Sequence, residues 1–326
     1  MRRFLRRDQR IIFINILVLQ PYFASRAFAM SAANDAAPVI EVITSAREMR
    51  AWSRAASARG LRVGFVPTMG ALHDGHLSLV RAARARSDVV VVSIYVNETQ
   101  FAPGEDFDKY PRGVEADVAK LQAVGGVDVA YAPRAMYVDP EKEAPHETFV
   151  TVENVSKGLC SLSRPHFFRG VATVVTKLFN VVEPDVAAFG KKDYQQWRVI
   201  QRMVRDLDFD IDVVGGEIVR ESDGLAMSSR NALLTPENRA KAPAIRACMS
   251  RAAEDARSRR MDASEIVRVV TEGISNATGV VDYVKVMHPE TLVEYEGVVE
   301  SDCVVAIAAK FGEVRLLDNI EISINP

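Results

Sequence analysis

The run at 88–96, D-V-V-V-V-S-I-Y-V, constrains the fold of this chain more than any other stretch. Its apolar residues follow one another instead of alternating with polar ones, and β-branched side chains dominate. A strand that shows one face to water alternates. An unbroken run implies burial on both faces, the condition of a parallel sheet covered by helices. The neighbouring sequence supplies such helices. Helical patterns are expected over 41–58, Val114–Val124, 170–182 and 194–207. In the third of these, Val171, Val174, Val175, Leu178, Phe179 and Val182 share one face, and Pro184 ends it. Short strands are expected from Val63, at 127–131, 149–152, 186–189 and 211–214. Strands separated by helices give an α/β fold with a doubly wound parallel sheet.

Past Gly215 the pattern changes. Thr235 caps a helix with Pro236 at its first position, two Ala- and Val-rich helices run to about Asn276, and strands follow at 281–287, 303–308 and Val314–Ile322. This reads as a smaller C-terminal α+β domain, at 218–326, after a sheet domain at 39–217.

Ligands of doubly wound sheets sit beyond the C-terminal strand ends, which singles out three clusters. The stretch at 63–80, V-G-F-V-P-T-M-G-A-L-H-D-G-H-L-S-L-V, reads as strand, tight turn and helix start. His73 and His76 are three apart and share a face. At a helix N-terminus they suit phosphate, which the free N–H groups and macrodipole already favour; metal ligation and an ordinary turn are the alternatives, and His146, His166 and His288 fall into no zinc spacing with them. Asn97 and Gln100 follow the strand at 88–96, ahead of the loop F-A-P-G-E-D-F-D-K-Y-P-R at 101–112. In F-G-K-K-D-Y-Q-Q-W at 189–197, Lys192 suits phosphate, Asp193 and Gln196 share a face, and Tyr194 and Trp197 are expected to pack inward. The irregular segment D-G-L-A-M-S-S-R-N at 223–231 brings Ser228, Ser229 and Arg230, either a phosphate-binding loop able to close over a site or a plain linker.

Composition excludes other classes. A net charge of −2 offers no basic field for nucleic acid, and Cys160, Cys248 and Cys303 form neither a disulfide framework nor a zinc spacing. Reduced thiols suit the cytoplasm. The N-terminus complicates this. Arg2, Arg3, Arg6, Arg7 and Arg10 precede an apolar run at 11–19, too short to span a bilayer, and Ala27-Phe28-Ala29 resembles a cleavage site. A secretory signal, an organelle (mitochondrial or plastid) transit segment, and a true start at Met30 all fit, so residues 1–38 stand outside the fold as an extension.

Five motifs in this order, P-T-M-G-A-L-H-D-G-H, V-N-E-T-Q-F, E-D-F-D-K-Y-P-R, K-L-F-N-V-V-E-P-D-V-A-A-F-G-K-K-D-Y-Q-Q and D-G-L-A-M-S-S-R-N, closely resemble the pantoate–β-alanine ligase family from Val39 onwards. The resemblance implies a Rossmann-like domain and a two-step ligation. ATP and pantoate give pantoyl adenylate and pyrophosphate; β-alanine then releases pantothenate and AMP. It implies that His73, His76, Lys192, Ser228, Ser229 and Arg230 handle the phosphates. Pro67, Thr68, Met69 and Gly75 would border the nucleotide from one side, with Gly190 and Met227 from the other and Asp193 on the ribose. Met69, Asn97, Gln100 and Gln196 would hold pantoate. Mg²⁺ would accompany ATP, with Asp117 a candidate contact, and the protein would be a homodimer without membrane association. A related nucleotidylyltransferase and a silent nucleotide-binding homologue are the rival functions. Three departures stand out: Glu98 where the family has proline, His166 one place earlier than the usual histidine, and Lys191 for a frequent glutamate. The stretch R-P-H-F-F-R-G is similar to plant-type members.

Overall fold

A computed structural model describes residues 39–101, 107–108, 110–137 and 146–324. The expected N-terminal extension, and positions 102–106 and 109 of the 101–112 loop, lie outside the described residues.

The unbroken apolar run does form the centre of a parallel sheet. Six strands, β1 (Glu41–Ile43), β2 (Val63–Thr68), β3 (Val89–Ile94), β4 (Val129–Tyr131), β5 (Val186–Gly190) and β6 (Asp212–Gly216), pair in the order β1-β4-β3-β2-β5-β6. Every pairing is parallel. Phe65 of β2 aligns with Val91 of β3, which aligns with Val129 of β4. Between the strands run α1 (Ala46–Ala58), α2 (Asp74–Arg84), α3 (Val114–Val124), α4 (Cys160–Ser163), α5 (Phe167–Val182) and α6 (Tyr194–Asp206). Side chains leave each strand alternately up and down. Phe65, Val91, Val129 and Ala187 therefore enter one core with Met49, Phe179, Ile200 and Met203 of α1, α5 and α6. Val66, Val90, Val92 and Ala188 enter the other with Leu79 and Val80 of α2 and Leu121 of α3. Phe65 and Phe179 meet edge to face with centroids 6.3 Å apart, both buried. Burying such a ring stabilises by roughly 1.5–3 kcal/mol.

Two expectations fail. The stretch 41–58 is not one helix: β1 comes first, and α1 starts only after Ser45, whose hydroxyl accepts the Glu48 N–H. The β-branched pair Val42 and Ile43 extends alongside β4 at the sheet edge, and the Ala132 N–H donates to the Ile43 carbonyl at 2.8 Å. The stretch 149–152 is no strand. The Val150 N–H donates to the Thr173 hydroxyl (3.0 Å) instead of a ladder, and Phe149 lies under the Arg169 guanidinium.

The chain order sets a switch point. From β2 it winds to β3 and β4 on one side, and later places β5 and β6 on the other, so the connections leaving β2 and β5 part at their C-terminal ends. The crevice of a doubly wound sheet opens at such a point.

The C-terminal segment contains α7 (Pro236–Lys241), α8 (Ala244–Ser258), α9 (Ala263–Asn276) and an antiparallel sheet of β7 (Val280–Met287), β8 (Cys303–Phe311) and β9 (Val314–Ile322), with β8 central. Val305, Ile307, Ala309 and Phe311 of β8 pack with Ile245, Met249, Ile266 and Val270 of α8 and α9. Val304 and Ala306, on its other face, join the core of the first sheet. The described residues form one compact unit. No helix among the described residues is long and apolar enough to cross a membrane.

Candidate active site

The connection from β2 to α2 is built by backbone capture. The Thr68 hydroxyl donates to the Ser93 carbonyl (2.7 Å) and accepts the Gly70 N–H (3.2 Å). Gly70 has φ +83°, and a Cβ there would lie 2.8 Å from Asp117 Oδ2. Asp117, 2% exposed, accepts the Ala71 N–H on Oδ2 (2.9 Å) and the Leu72 N–H on Oδ1 (2.8 Å). Two such bonds hold Ala71 at φ +52°, where a side chain is strained. Lys120 closes the arrangement by donating to the Leu72 carbonyl at 2.7 Å. Asp117, the expected magnesium contact, accepts a backbone N–H on each of its oxygens and does not line the cavity.

Past that loop, His73 caps α2. Its Nδ1 accepts the Gly75 N–H (3.1 Å), while His76 Nδ1 accepts the His73 N–H (3.3 Å). Because a backbone N–H can only donate, both rings carry their proton on Nε2. A Cβ at Gly75 would sit 2.8 Å from the His73 ring, so glycine allows this cap. The ring centroids are 4.2 Å apart. Burial, then the nearby Lys192 charge, lowers the pKa of His73; burial, then His73, pulls His76 down to about 3. Two uncharged Nε2–H donors result at a helix N-terminus.

Both rings line a cavity of about 430 Å³ at the switch point. It gathers Pro67, Thr68 and Met69 from the end of β2, Asn97 and Gln100 from beyond β3, Lys192, Asp193 and Gln196 from beyond β5, and Ser228, Ser229 and Arg230 from the later loop. Gly75, Gly190 and Met227 stand beside it in the chain without lining it. Asn97 (1% exposed) donates through Nδ2 to Gln100 Oε1 at 2.9 Å and to the Gly170 carbonyl at 3.3 Å. With its oxygen engaged, Gln100 turns Nε2 toward the cavity, 3.0 Å from Met69 Sδ. A Cβ at Gly170 would come within 2.4 Å of the Thr99 carbonyl oxygen, so only glycine lets α5 approach this turn.

Lys192 is set from a distance. Asn319 of β9 donates through Nδ2 to the carbonyls of Lys191 (2.8 Å) and Lys192 (3.0 Å). Asp318 forms a two-point pair with Arg220 (2.7 and 2.9 Å). The departures from the family pattern also find partners. Lys191 pairs with Glu217 (2.7 Å) and Glu321 (2.8 Å), and Glu98 Oε2 accepts the Tyr95 hydroxyl at 2.6 Å. His166 is exposed at the start of α5. Tyr194 and Trp197 are buried as expected, 5.4 Å apart, though Tyr194 also borders the cavity.

Sequence reasoning missed part of the wall: Arg164, Tyr283, Asp318 and Asn319 line it. Arg164 Nη2 donates to the Gln100 carbonyl at 3.0 Å, and its guanidinium lies over the Phe167 ring. Gln195 was also missed; its amide binds the Val155 and Lys157 carbonyls and accepts the Cys160 N–H, tying down the start of α4.

Residues 41–321 match the family described as pantoate-beta-alanine ligase. A pantoate--beta-alanine ligase of Lotus japonicus is 48% identical over 305 residues, covering 87% of this chain and 99% of that protein. The crystal structure of pantothenate synthetase from Thermus thermophilus is 42% identical and superposes with a TM-score of 0.78 over 88% of this chain and 100% of that one. A pantoate-beta-alanine ligase from Francisella tularensis, complexed with beta-gamma ATP and beta-alanine, is 28% identical with a TM-score of 0.71, over 86% and 97%.

Proposed function

The chain belongs to the pantoate–β-alanine ligase family, and from that premise we propose that its cavity condenses pantoate with β-alanine, using ATP, to give pantothenate, AMP and pyrophosphate. One observation carries the assignment of the cavity: two uncharged imidazoles, the Lys192 side chain and the Gln100 amide line the same pocket.

The first step forms a bond between a pantoate carboxylate oxygen and the α-phosphorus and breaks the bond from that phosphorus to the bridging oxygen. Negative charge grows on the departing pyrophosphate. His73, His76 and Lys192 meet it from one side and Ser228, Ser229 and Arg230 from the other, which is electrostatic stabilisation by groups already in place. Uncharged imidazoles can donate without first losing a proton. Gln100, with Asn97 fixing its orientation, offers its amide N–H to pantoate together with Gln196 and Met69, so that the carboxylate is positioned for attack. Pro67 and Thr68 shape the wall, Gly75, Gly190 and Met227 let the backbone approach the nucleotide, and Asp193 serves the ribose.

In the second step the β-alanine amine attacks the acyl carbon, AMP leaves, and the amine loses a proton. The adenylate must be shielded from water until then, and the Ser228–Arg230 segment is the element placed to cover it. Magnesium enters this reading with ATP, as part of the substrate. Among the described residues no three His, Cys, Asp or Glu side chains group as metal ligands. We read the protein as a homodimer, acting in the cytoplasm when translation starts at Met30 and in an organelle when residues 1–29 act as a targeting segment.

The test is product analysis with the full chain, ATP, Mg²⁺ and pantoate, with and without β-alanine. Pantothenate and AMP in equal amounts, dependent on all three substrates, are expected. Nucleotide binding without product would overturn the reading in favour of a silent homologue.

A further inference from the structure

A second cavity, of about 440 Å³, opens between α8 and β9 and is unlike the first in chemistry. Arg246, Ser250, Glu254 and Arg257 are spaced four, four and three residues apart along α8, so they form one stripe of that helix. Lys191 and Arg220 contribute from the facing side. Four cations thus meet in one small space.

Their pairing is uneven. Lys191 is engaged by Glu217 and Glu321, and Arg220 by Asp318. Among the described residues neither Arg246 nor Arg257 has an ion-pair partner, and Glu254 has none either. Two guanidinium groups and the Ser250 hydroxyl therefore stand against a single uncommitted carboxylate. Burial, then the positive charge of Arg220, lowers the pKa of Arg246, with Arg257 acting in the same direction and Asp318 opposing. Like charges brought together this way are stabilised by an outside anion. A carboxylate would satisfy one guanidinium fork, whereas a phosphate, with three terminal oxygens, can engage two.

We propose that this second cavity binds a small phosphate-bearing anion through Arg246, Arg257 and Ser250, and that its occupancy is transmitted to the first cavity. The volume suits a small molecule. Glu254, between Ser250 and Arg257 on the stripe, and the exposed Glu217 disfavour an extended polyanion such as nucleic acid.

The route of transmission is a hairpin. The Arg246 side chain packs on Gly224, and Arg220 Nη1 donates to the Gly224 carbonyl at 3.0 Å. Arg220 bridges to Ala226, and the Met227 N–H donates to the Val219 carbonyl at 2.9 Å. The next residues, Ser228, Ser229 and Arg230, line the first cavity, and Asn319 lines both. An anion that draws Arg246 moves the turn on which it rests.

The experiment titrates inorganic phosphate and, separately, glycerol 3-phosphate into the full-length protein by calorimetry. Wild type is compared with an Arg246→Gln/Arg257→Gln variant, which keeps most of the Arg246 stem, and with Lys192→Ala, which disables the first cavity. The expected result is equal binding by wild type and Lys192→Ala, and at least tenfold weaker binding by the double variant. Arg257→Gln alone, at an exposed position, should weaken binding severalfold and serves if the double variant unfolds. Tighter binding of the monoester identifies an organic phosphate as the ligand; equal affinity identifies the free ion. At saturating probe, the KM for ATP should shift more in wild type than in the double variant, in which only direct competition in the first cavity remains. Binding lost in Lys192→Ala but kept in the double variant would place the anion in the first cavity and overturn the proposal, as would absence of binding to wild type. A KM unshifted, or shifted equally in both, would overturn the transmission.

Discussion

His73 and His76 turn the same ring atom, Nδ1, to backbone N–H groups of their own helix turn, which leaves both Nε2–H groups facing the cavity. The helix start and the proposed anion site are thus one arrangement, and a change at either ring is expected to have two effects.

For His76→Ala the expected loss in kcat is roughly 10²–10³-fold, the size seen when one donor to a developing charge is removed. Circular dichroism should remain that of the wild type. The protonation behaviour gives a second check. The folded-state pKa of about 3 lies below the ordinary 6.5. Below pH 6.5 the unfolded chain binds a proton that the folded one refuses. Stability from this group is therefore complete above pH 6.5 and falls by about 1.4 kcal/mol per pH unit toward pH 3. Denaturant titrations should show a shallower acid slope in His76→Asn than in wild type. Equal slopes would remove the neutral-ring account.

Gln100→Ala should raise the KM for pantoate roughly ten- to a hundredfold, the loss of one hydrogen bond to a charged group, with a smaller change for ATP. Steady-state kinetics with each substrate varied in turn decides it. Equal effects on both would move Gln100 out of the acid's pocket.

Glu98 takes the place of a proline by a different device, the 2.6 Å bond from the Tyr95 hydroxyl. Asn97 is already extended, at φ −82° and ψ 107°, as the residue before a proline should be. Glu98→Pro should therefore fold and hold the KM for pantoate within about twofold, with the proline contributing about 0.4–1 kcal/mol through the unfolded chain. Glu98→Ala, which has neither tether nor ring, should show the higher KM. The reverse order would mean that rigidity at this turn is unimportant.

Asp117→Asn puts an amide N–H against a backbone N–H and should cost about 1–3 kcal/mol of stability. Thermal unfolding would show it. The Mg²⁺ concentration dependence of the reaction should stay where it is; a large shift would restore Asp117 as a metal contact.

The sequence carried what depends on near neighbours. The run at 88–96 announced a strand covered on both faces, and the switch-point rule, which links strand ends to ligands, pointed to His73, Lys192 and Gln100, which line one cavity. β1 escaped because three residues paired at an edge carry too little pattern against the strong helix signal beginning at Ser45. Val150 misled because a β-branched residue can be held by one threonine hydroxyl as well as by a ladder. Asp318 and Asn319 gave no local sign at all. They sit in an ordinary-looking strand, and their partners Arg220, Lys191 and Lys192 lie 98, 128 and 127 residues away.

That last separation has a consequence for the newborn chain. The first sheet needs nothing beyond β6 to pair its strands, so the imidazole pair can take its place while the ribosome is still at work. Lys192 cannot be fixed until Asn319 has been synthesised and has emerged. The Asn319 bonds that hold the Lys191 and Lys192 carbonyls are therefore among the last contacts this polypeptide can form.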